Sequence, residues 1–203
     1  MRQSATRHLH AYWSGLCGQR ATPERADVDP AAIRSILPET FMLEVDAAAS
    51  YPVLLAGTRC NALFGKSLRG LGFVDLFAAG DRIQIAGICA AVCDGAVPIV
   101  AGLRGGPRHV ALVDLELLLL PLRHHGKTHS RILGIVAPAS SPAWLGLVPM
   151  PELNLVSMRI VTGDAKVRRP LASGSESQTR AGDQPAREAR RAHLSLIQGG
   201  RSG

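Results

Sequence analysis

Residues 54–81 read LLAGTRCNALFGKSLRGLGFVDLFAAGD, and this stretch decides the fold. A short apolar strand leads into a small helix, which is followed by a glycine-punctuated loop and a second short helix. Glycines stand at positions 57, 65, 70 and 72, where the backbone must turn tightly or adopt a positive φ. The pattern predicts a compact strand–helix–loop–helix unit in the middle of a larger domain.

Outward from this unit, the apolar pattern predicts strands on both sides. Alternating side chains indicate strands over 40–45 and 51–57, joined by a loop short enough for a hairpin. A longer helix begins near Asp81 and is closed by Asp94-Gly95. Three more strands follow, at 97–103, 109–122 and 130–138. This order predicts an α+β fold in which a five-stranded antiparallel sheet carries helices on one face.

The N-terminal segment is predicted to be an amphipathic helix, because its apolar residues follow the i, i+3, i+4, i+7 spacing. The strand ending at residue 122 places apolar side chains on both faces, so the face away from the other helices also needs a cover. We therefore expect the N-terminal helix to pack there and to help form a homodimer. The expected partner interface consists of Leu9, Tyr12, Trp13, Leu16, Leu118 and Leu120.

Composition divides the chain into four parts. Residues 1–20 form the N-terminal amphipathic helix, and residues 21–147 form the main domain. Residues 148–162 are a short extension, in which 154–161 has the pattern of one more strand. Residues 163–203 are rich in Gly, Ser, Arg, Gln and Glu and are predicted to be a disordered basic tail, since so few apolar residues cannot offset the entropy of folding.

The net charge of +7 is concentrated in that tail, where eight basic residues meet four acidic ones. A basic tail attracts polyanions without specificity. The alternative is therefore that the chain is a regulatory protein that binds nucleic acid through this tail. No aromatic residue is interleaved with the tail arginines. This pattern disfavours the stacking mode of single-strand binders, and nucleic acid is not the expected partner.

The four cysteines lie in apolar surroundings without a paired CxxC framework, which favours buried, reduced thiols. No apolar run reaches the roughly 20 residues that span a bilayer. The N-terminus also lacks the apolar core of a signal peptide. We expect a cytoplasmic protein without membrane insertion.

Motifs of catalysis are absent from the sequence: there is no P-loop, nucleophile elbow or HExxH pattern. Asp114 and Glu116 share one face of a strand, but are interpreted as solvent-side charges rather than as a catalytic pair. His124, His125 and His129 flank a hairpin turn without a neighbouring carboxylate or cysteine, and no metal site is assigned to them. The chain is therefore not expected to be an enzyme.

Several of these segments resemble a PAS domain. The helix Asn61-Ala62-Leu63-Phe64-Gly65, the turn Leu68-Arg69-Gly70 and the residues around Phe73 and Phe77 are similar to those of that family. The final stretch, LELLLLPLRHHGKTHSRILGIVAP, resembles the last two PAS strands and their hairpin. The resemblance implies a sensory module that holds a ligand or a partner.

A closer resemblance is to a group of small alphaproteobacterial PAS proteins, once filed as a domain of unknown function. The features that carry it are Tyr12-Trp13, Pro23-Glu24-Arg25, the segment 29–34, Leu55-Ala56-Gly57-Thr58-Arg59 and Trp144-Leu145-Gly146. We expect a non-enzymatic sensory or adaptor protein without an attached output domain, acting in bacterial signalling through a ligand or a protein partner.

The candidate ligand site follows from side-chain volume. Small residues on the helix from Asp81 to Asp94, if turned to the sheet, leave a cavity, and nearby polar residues supply anchors. The candidate ligand-binding residues are Arg59, Asn61, Ala86, Gly87 and Ala90. Since that helix contains no histidine, haem is not expected there, and no cofactor is expected at all. The alternative is close helix–sheet packing without a void.

Removing the predicted tail tests the domain boundaries. Because the apolar periodicity stops near Val161, a protein that ends at Thr162 is expected to retain the cooperative unfolding transition of the full chain. The measurement is urea unfolding of both proteins, followed by far-UV circular dichroism. Loss of the cooperative transition in the shortened protein contradicts the boundary.

Overall fold

The computed structural model describes residues 1–125 and 127–161, without the side chains of residues 127–129. Helix α1 spans Ser4–Cys17, α2 spans Thr58–Phe64 and α3 spans Arg82–Gly95. The strands are β1 Thr40–Glu44, β2 Val53–Ala56, β3 Ile99–Gly105, β4 Val113–His124, β5 Lys127–Pro138 and β6 Leu153–Ile160. Three single turns of 3-10 helix lie at Arg25–Asp27, Leu37–Glu39 and Phe73–Leu76. The predicted tail, 163–203, lies outside the described residues.

The six strands form one antiparallel sheet in the order β2-β1-β5-β4-β3-β6. The predicted α+β class is therefore confirmed, with five strands in the expected order and a sixth added by the extension. Strand β6 pairs with β3 along its whole length, from Leu153 opposite Gly105 to Ile160 opposite Ile99. Residues 153–160 thus belong to the sheet.

The inner face of the sheet packs against α2, α3 and the loop between them. Val113, Leu115, Leu117 and Leu119 of β4 all contribute to this inner core, as their alternation predicts. Three aromatic rings meet in this core: Phe73 stacks on Phe41 and meets Phe77 edge to face. The ring of Phe41 lies directly over Gly134 of β5, a position where any Cβ would collide with it.

The outer face is covered by α1, which confirms the predicted position of this helix. Leu9 and Trp13 pack against Leu118, Leu120 and other apolar side chains of the sheet. The indole Nε1 of Trp13 donates a hydrogen bond to the carbonyl oxygen of Pro121, at 2.9 Å. Each fully buried side chain of this kind stabilises the fold by about 1.5–3 kcal/mol, so α1 is an integral part of the domain.

Glu116 fixes the N-terminal end of α1. Its carboxylate accepts hydrogen bonds from the backbone N–H groups of Arg2 and Gln3, at 2.7 and 3.1 Å, and from the hydroxyl of Thr6. The interpretation of Glu116 as a solvent-side charge is therefore wrong, since the residue is buried on the outer face. The carboxylate binds the two residues that precede the helix and the hydroxyl of its first turn, and a negative charge near a helix N-terminus is favourable.

The pKa of Glu116 reflects this environment. Burial alone raises the pKa of the carboxyl group, but the hydrogen bonds from Thr6, Arg2 and Gln3 outweigh burial and lower it below the ordinary value of 4.5. A carboxyl group with a lowered folded-state pKa stabilises the fold fully above its ordinary pKa. This stabilisation is lost as the pH falls through the lower value.

The segment after Asp29 is less regular than its sequence indicates. Asp29 followed by Pro30 is typical of a helix start, but residues 30–36 form successive turns instead. Asp29 caps these turns as a helix N-cap would, because its carboxylate accepts the N–H of Ala31 at 2.9 Å. Most of the backbone hydrogen bonds here join residues three positions apart, as in a turn, rather than four apart, as in an α-helix. Examples are the N–H of Ile33 to the carbonyl oxygen of Pro30 and the N–H of Ile36 to that of Ile33.

We predict that Glu116→Gln lowers the free energy of unfolding at pH 7 by about 1–3 kcal/mol, because the amide replaces a charge-assisted acceptor of three donors. The stability of the variant should also change less between pH 6 and pH 3 than that of the parent. Urea titrations followed by tryptophan fluorescence measure both effects. The control is Glu152→Gln, at an exposed position. Equal stability of the two variants would contradict the role of Glu116.

Candidate ligand-binding cleft

The small residues of α3 do not form its inward stripe: Gly87 is exposed, and the half-buried Ala86 packs at the edge of the inner core. The inward face of α3 consists of the buried residues Ile85, Ile88, Cys89, Val92 and Cys93. Ala86 and Ala90 lie at the sides of the helix, and Gly87 is exposed, with nothing packed within 4 Å of the point where a Cβ would lie. A helix turns one stripe inward, and in α3 the larger side chains occupy that stripe.

The interior between helices and sheet is consequently closed. The cavity that remains there has a volume of about 20 Å³, and ten side chains around Phe41, Leu63 and Val136 line it. Such a volume holds at most about one water molecule. The expected alternative of close helix–sheet packing describes this part of the molecule.

Asn61 has a structural role, which also differs from the predicted one. Its side-chain amide donates to the carbonyl oxygen of Ala56 at 3.3 Å and accepts the N–H of Leu68 at 3.0 Å. These two bonds tie α2 to the end of β2 and to the loop that follows the helix. The amide is therefore engaged in hydrogen bonds within the chain.

Arg59 lies at the mouth of a different cavity. A cleft of about 270 Å³ opens between α2, the end of β5 and the segment 141–146. Its lining comprises Glu39, Arg59, Ala62, Leu63, Val136, Pro138, Ser141, Pro142, Leu145 and Gly146. Leu63 and Val136 also line the small interior cavity, so the cleft reaches the inner core through these two side chains.

The cleft is lined mainly by apolar side chains, and an ion pair lies at its opening. The guanidinium of Arg59 forms an ion pair with the carboxylate of Glu39 at 2.5 Å. Glu39 is largely buried, with 13% of its side chain exposed, whereas Arg59 is 68% exposed. A guanidinium carries five N–H donors, and Glu39 uses only part of them. Arg59 thus retains donors that point into solvent beside an apolar cleft.

The cysteines behave as core residues. Cys60, Cys89 and Cys93 are buried and free, as predicted. Burial raises the pKa of the Cys60 thiol to about 12, so this group stays protonated at neutral pH. Burial likewise raises the pKa of Cys89. Protonated thiols are poor nucleophiles and poor metal ligands, and these residues contribute packing rather than chemistry.

The predicted partner interface is used within the chain. Leu9, Trp13, Leu118 and Leu120 are all buried beneath or on α1, so they cannot meet a partner while this helix is docked. Tyr12 and Leu16 are half-buried, and the Tyr12 hydroxyl accepts the N–H of Asp29 at 2.7 Å. The helix packs on these leucines as predicted, and this packing buries the apolar surface that was expected to meet a second copy.

Two of the histidines at the hairpin turn lie side by side. The rings of His124 and His125 are in contact, with centroids 3.9 Å apart, while the side chain of His129 is not described. Within the described part of the chain, no group of three side chains has the geometry of a metal site.

None of the helices in the described residues combines the length and apolarity needed to cross a membrane.

The sheet order, with α2 and α3 inserted between β2 and β3, defines a single-sheet α+β domain with a covered core. A family model described as PAS domain matches residues 1–137. The match spans well over half of the chain and includes α1. The chain therefore belongs to the PAS domain family, whose members are generally sensory, non-catalytic modules.

Solved structures with a similar fold include PAS and LOV domains. The PAS domain of a Colwellia psychrerythraea protein is 15% identical over 54% of this chain and 97% of its own, with a TM-score of 0.42. A Rhodobacter sphaeroides LOV protein is 14% identical over 54% of this chain and 66% of its own, with a TM-score of 0.42. An RNA-binding light-oxygen-voltage receptor is 15% identical over 61% of this chain and 35% of its own, with a TM-score of 0.43. No curated protein matches the sequence. At these TM-scores, membership of the family rests on the family model.

The orientation of α3 predicts opposite effects of alanine at two glycines. Gly87→Ala is expected to stabilise the protein by about 0.5–1 kcal/mol, since Gly87 lies on an exposed helix surface with free space around it. Gly134→Ala is the contrasting variant, because its Cβ would collide with the ring of Phe41. Thermal unfolding of both variants distinguishes the two cases. A destabilised Gly87→Ala variant would mean that this face of α3 is packed after all.

Proposed function

We propose that the chain is a non-enzymatic PAS-type sensory or adaptor protein in signalling, which binds a small ligand or a protein partner. The observation that carries this proposal is the apolar cleft with Arg59 at its mouth. Family membership supports the sensory class, and the cleft supplies a place for a signal molecule that the closed interior lacks.

The cleft favours a small, mainly apolar ligand with one acceptor oxygen, such as a carboxylate. Its volume of about 270 Å³ is slightly below the range of drug-sized pockets, so the ligand is small. The carboxylate or carbonyl oxygen of the ligand would accept N–H donors that Arg59 does not use on Glu39. The apolar part would contact Leu145 on one side and Leu63 on the other.

A ligand in this cleft has a physical route to the rest of the domain. Leu63 belongs to α2 and Val136 belongs to β5, and both side chains contribute to the inner core. Strand β5 pairs with both β1 and β4, in the middle of the sheet. Displacement of either side chain therefore alters packing in the centre of the domain, which is close-packed and transmits such changes.

The alternative function, nucleic-acid binding by the basic tail, concerns residues outside the described part of the chain and stays a prediction. The homodimer and the cytoplasmic location are also predictions. Of the predicted interface residues on α1, the half-buried Tyr12 and Leu16 retain exposed surface for a homodimer.

Native mass spectrometry and a thermal-shift titration with octanoate test the cleft. We expect octanoate to raise the midpoint of unfolding of the full chain, and we expect Arg59→Gln to weaken its binding about tenfold, as for loss of a charge-assisted hydrogen bond. The control is Arg69→Gln, which removes the same charge from an exposed loop position. Equal octanoate affinity of both variants, without any Arg59-dependent adduct in the purified protein, would overturn the proposal.

A further inference from the structure

Strand β6 has a free edge over only part of its length. Within the described residues, it lies at one end of the sheet and pairs with β3 alone. At its start, the edge is occupied: the N–H of Ala78 donates to the carbonyl oxygen of Leu153 at 2.9 Å, and the N–H of Leu155 donates to the Asp81 carboxylate at 2.8 Å. The edge that remains open therefore begins after Leu155.

The open part is separated from the occupied part by a bulge. Leu155 stands opposite Leu103 and Ser157 opposite Gly102, so Val156 is the extra residue. Beyond the bulge, the N–H of Val161 donates to the carbonyl oxygen of Pro98, on the β3 side, at 2.8 Å. Alternate residues of a strand direct their backbone groups to the same side, so Met158 and Ile160 direct theirs to the free edge.

The side chains beside this free edge are apolar and exposed. Val156, Met158 and Ile160 have exposed fractions of 57%, 43% and 52%, and they occupy every second position of β6. Unpaired backbone groups next to apolar side chains form a template for another strand, which natural edges usually block with charges or prolines. In β6 the one charged residue is Arg159.

Arg159 lies on the opposite, outer face of β6, across from Val100. It lines a groove of about 720 Å³ that also contains Arg2, Arg104, Asp114 and Glu116. Both carboxylates are already compensated, because Asp114 pairs with Arg104 at 2.7 Å and Glu116 binds the start of α1. Among the residues that the structure describes, the guanidinium of Arg159 has no hydrogen-bond or ion-pair partner, whereas its backbone pairs with Val100, so the groove offers an uncompensated positive charge.

Pairing of β6 with a second copy of itself conflicts with this charge. The antiparallel register that places both Met158 and Ile160 in hydrogen-bonded pairs about a two-fold axis has Arg159 at its centre. Arg159 would then lie directly opposite the same residue of the second copy, and like charges in that position are destabilising. A partner strand with an acidic residue directly opposite Arg159 would instead be stabilised by the attraction between opposite charges.

We propose that the free edge of β6 binds an extended segment of a partner protein, antiparallel to β6, with an acidic residue opposite Arg159. Apolar residues on either side of that acidic residue then lie beside Met158 and Ile160 and share their face of the sheet. This inference names the partner class of the adaptor role proposed above and rests on it. Because peptide binding at β6 is measured separately from octanoate binding at the cleft, the failure of one is distinguishable from the failure of the other.

The test uses the full chain and three labelled peptides, read by fluorescence anisotropy at fixed salt. The peptide Ac-GTVDVTG-NH2 has the proposed pattern, Ac-GTVKVTG-NH2 reverses its charge, and Ac-GTPDPTG-NH2 keeps the charge but cannot pair as a strand. We expect the parent to prefer the aspartate peptide over the lysine peptide by about fivefold, and to bind the proline peptide at least tenfold more weakly than the aspartate peptide.

Charge reversal and edge blocking provide the decisive variants. Arg159→Glu should reverse the preference in favour of the lysine peptide, whereas Arg69→Glu, with the same change in net charge, should keep the preference of the parent. Met158→Pro removes an N–H that faces the free edge, and should abolish binding without lowering the midpoint of unfolding by more than a few degrees.

Three outcomes would overturn the inference. The first is equal binding of the aspartate and proline peptides, which indicates attraction by net charge alone. The second is the same peptide preference in Arg159→Glu and Arg69→Glu. The third is a dimer of the parent that Met158→Pro converts to a monomer in sedimentation experiments, because the occupant of the edge is then a second copy.

Discussion

Strand β4 is apolar on both faces, and this constraint organises the whole domain. Its odd-numbered residues from Val113 to Leu119 belong to the inner core, and its even-numbered leucines belong to the cluster beneath α1. A strand of this kind is stable only when both faces are removed from water. The α2–α3 layer covers one face and α1 covers the other, so the domain has three layers around a central strand.

Dense packing on both sides of β4 fills the centre of the domain. The interior is filled by medium-sized aliphatic side chains of α3 and β4 and by a short aromatic stack, which leave about 20 Å³ unfilled. Larger openings lie at the margins, among them the cleft where α2 meets the end of β5 and the groove beside β6. Both proposed binding sites therefore lie at the margins of the domain, and the packed core supports them.

The sequence predicts most of the architecture, because parity and helical spacing are local properties. The two faces of β4, the boundaries of α2 and the docking of α1 all follow from such patterns. The candidate site was predicted less well. Which stripe of α3 turns inward depends on competition between its small and large residues, and an apolar stripe of Ile85, Ile88 and Val92 was the signal that decides it. The role of Glu116 was not predictable, since its partners are more than 100 positions away. An acidic residue in an otherwise apolar strand was the only sign of it.

The bond between Thr6 and Glu116 spans 110 residues of sequence, and it has a consequence for the order of events during synthesis. Helix α1 is synthesised well before the strands that receive it, β4 and β5. At synthesis rates of about 5–20 residues per second, α1 waits on the order of 5–20 seconds for β4. During that interval its apolar stripe lacks the sheet that covers it in the folded domain, and only the nearby segment with Val28, Ile33 and Ile36 can contact it.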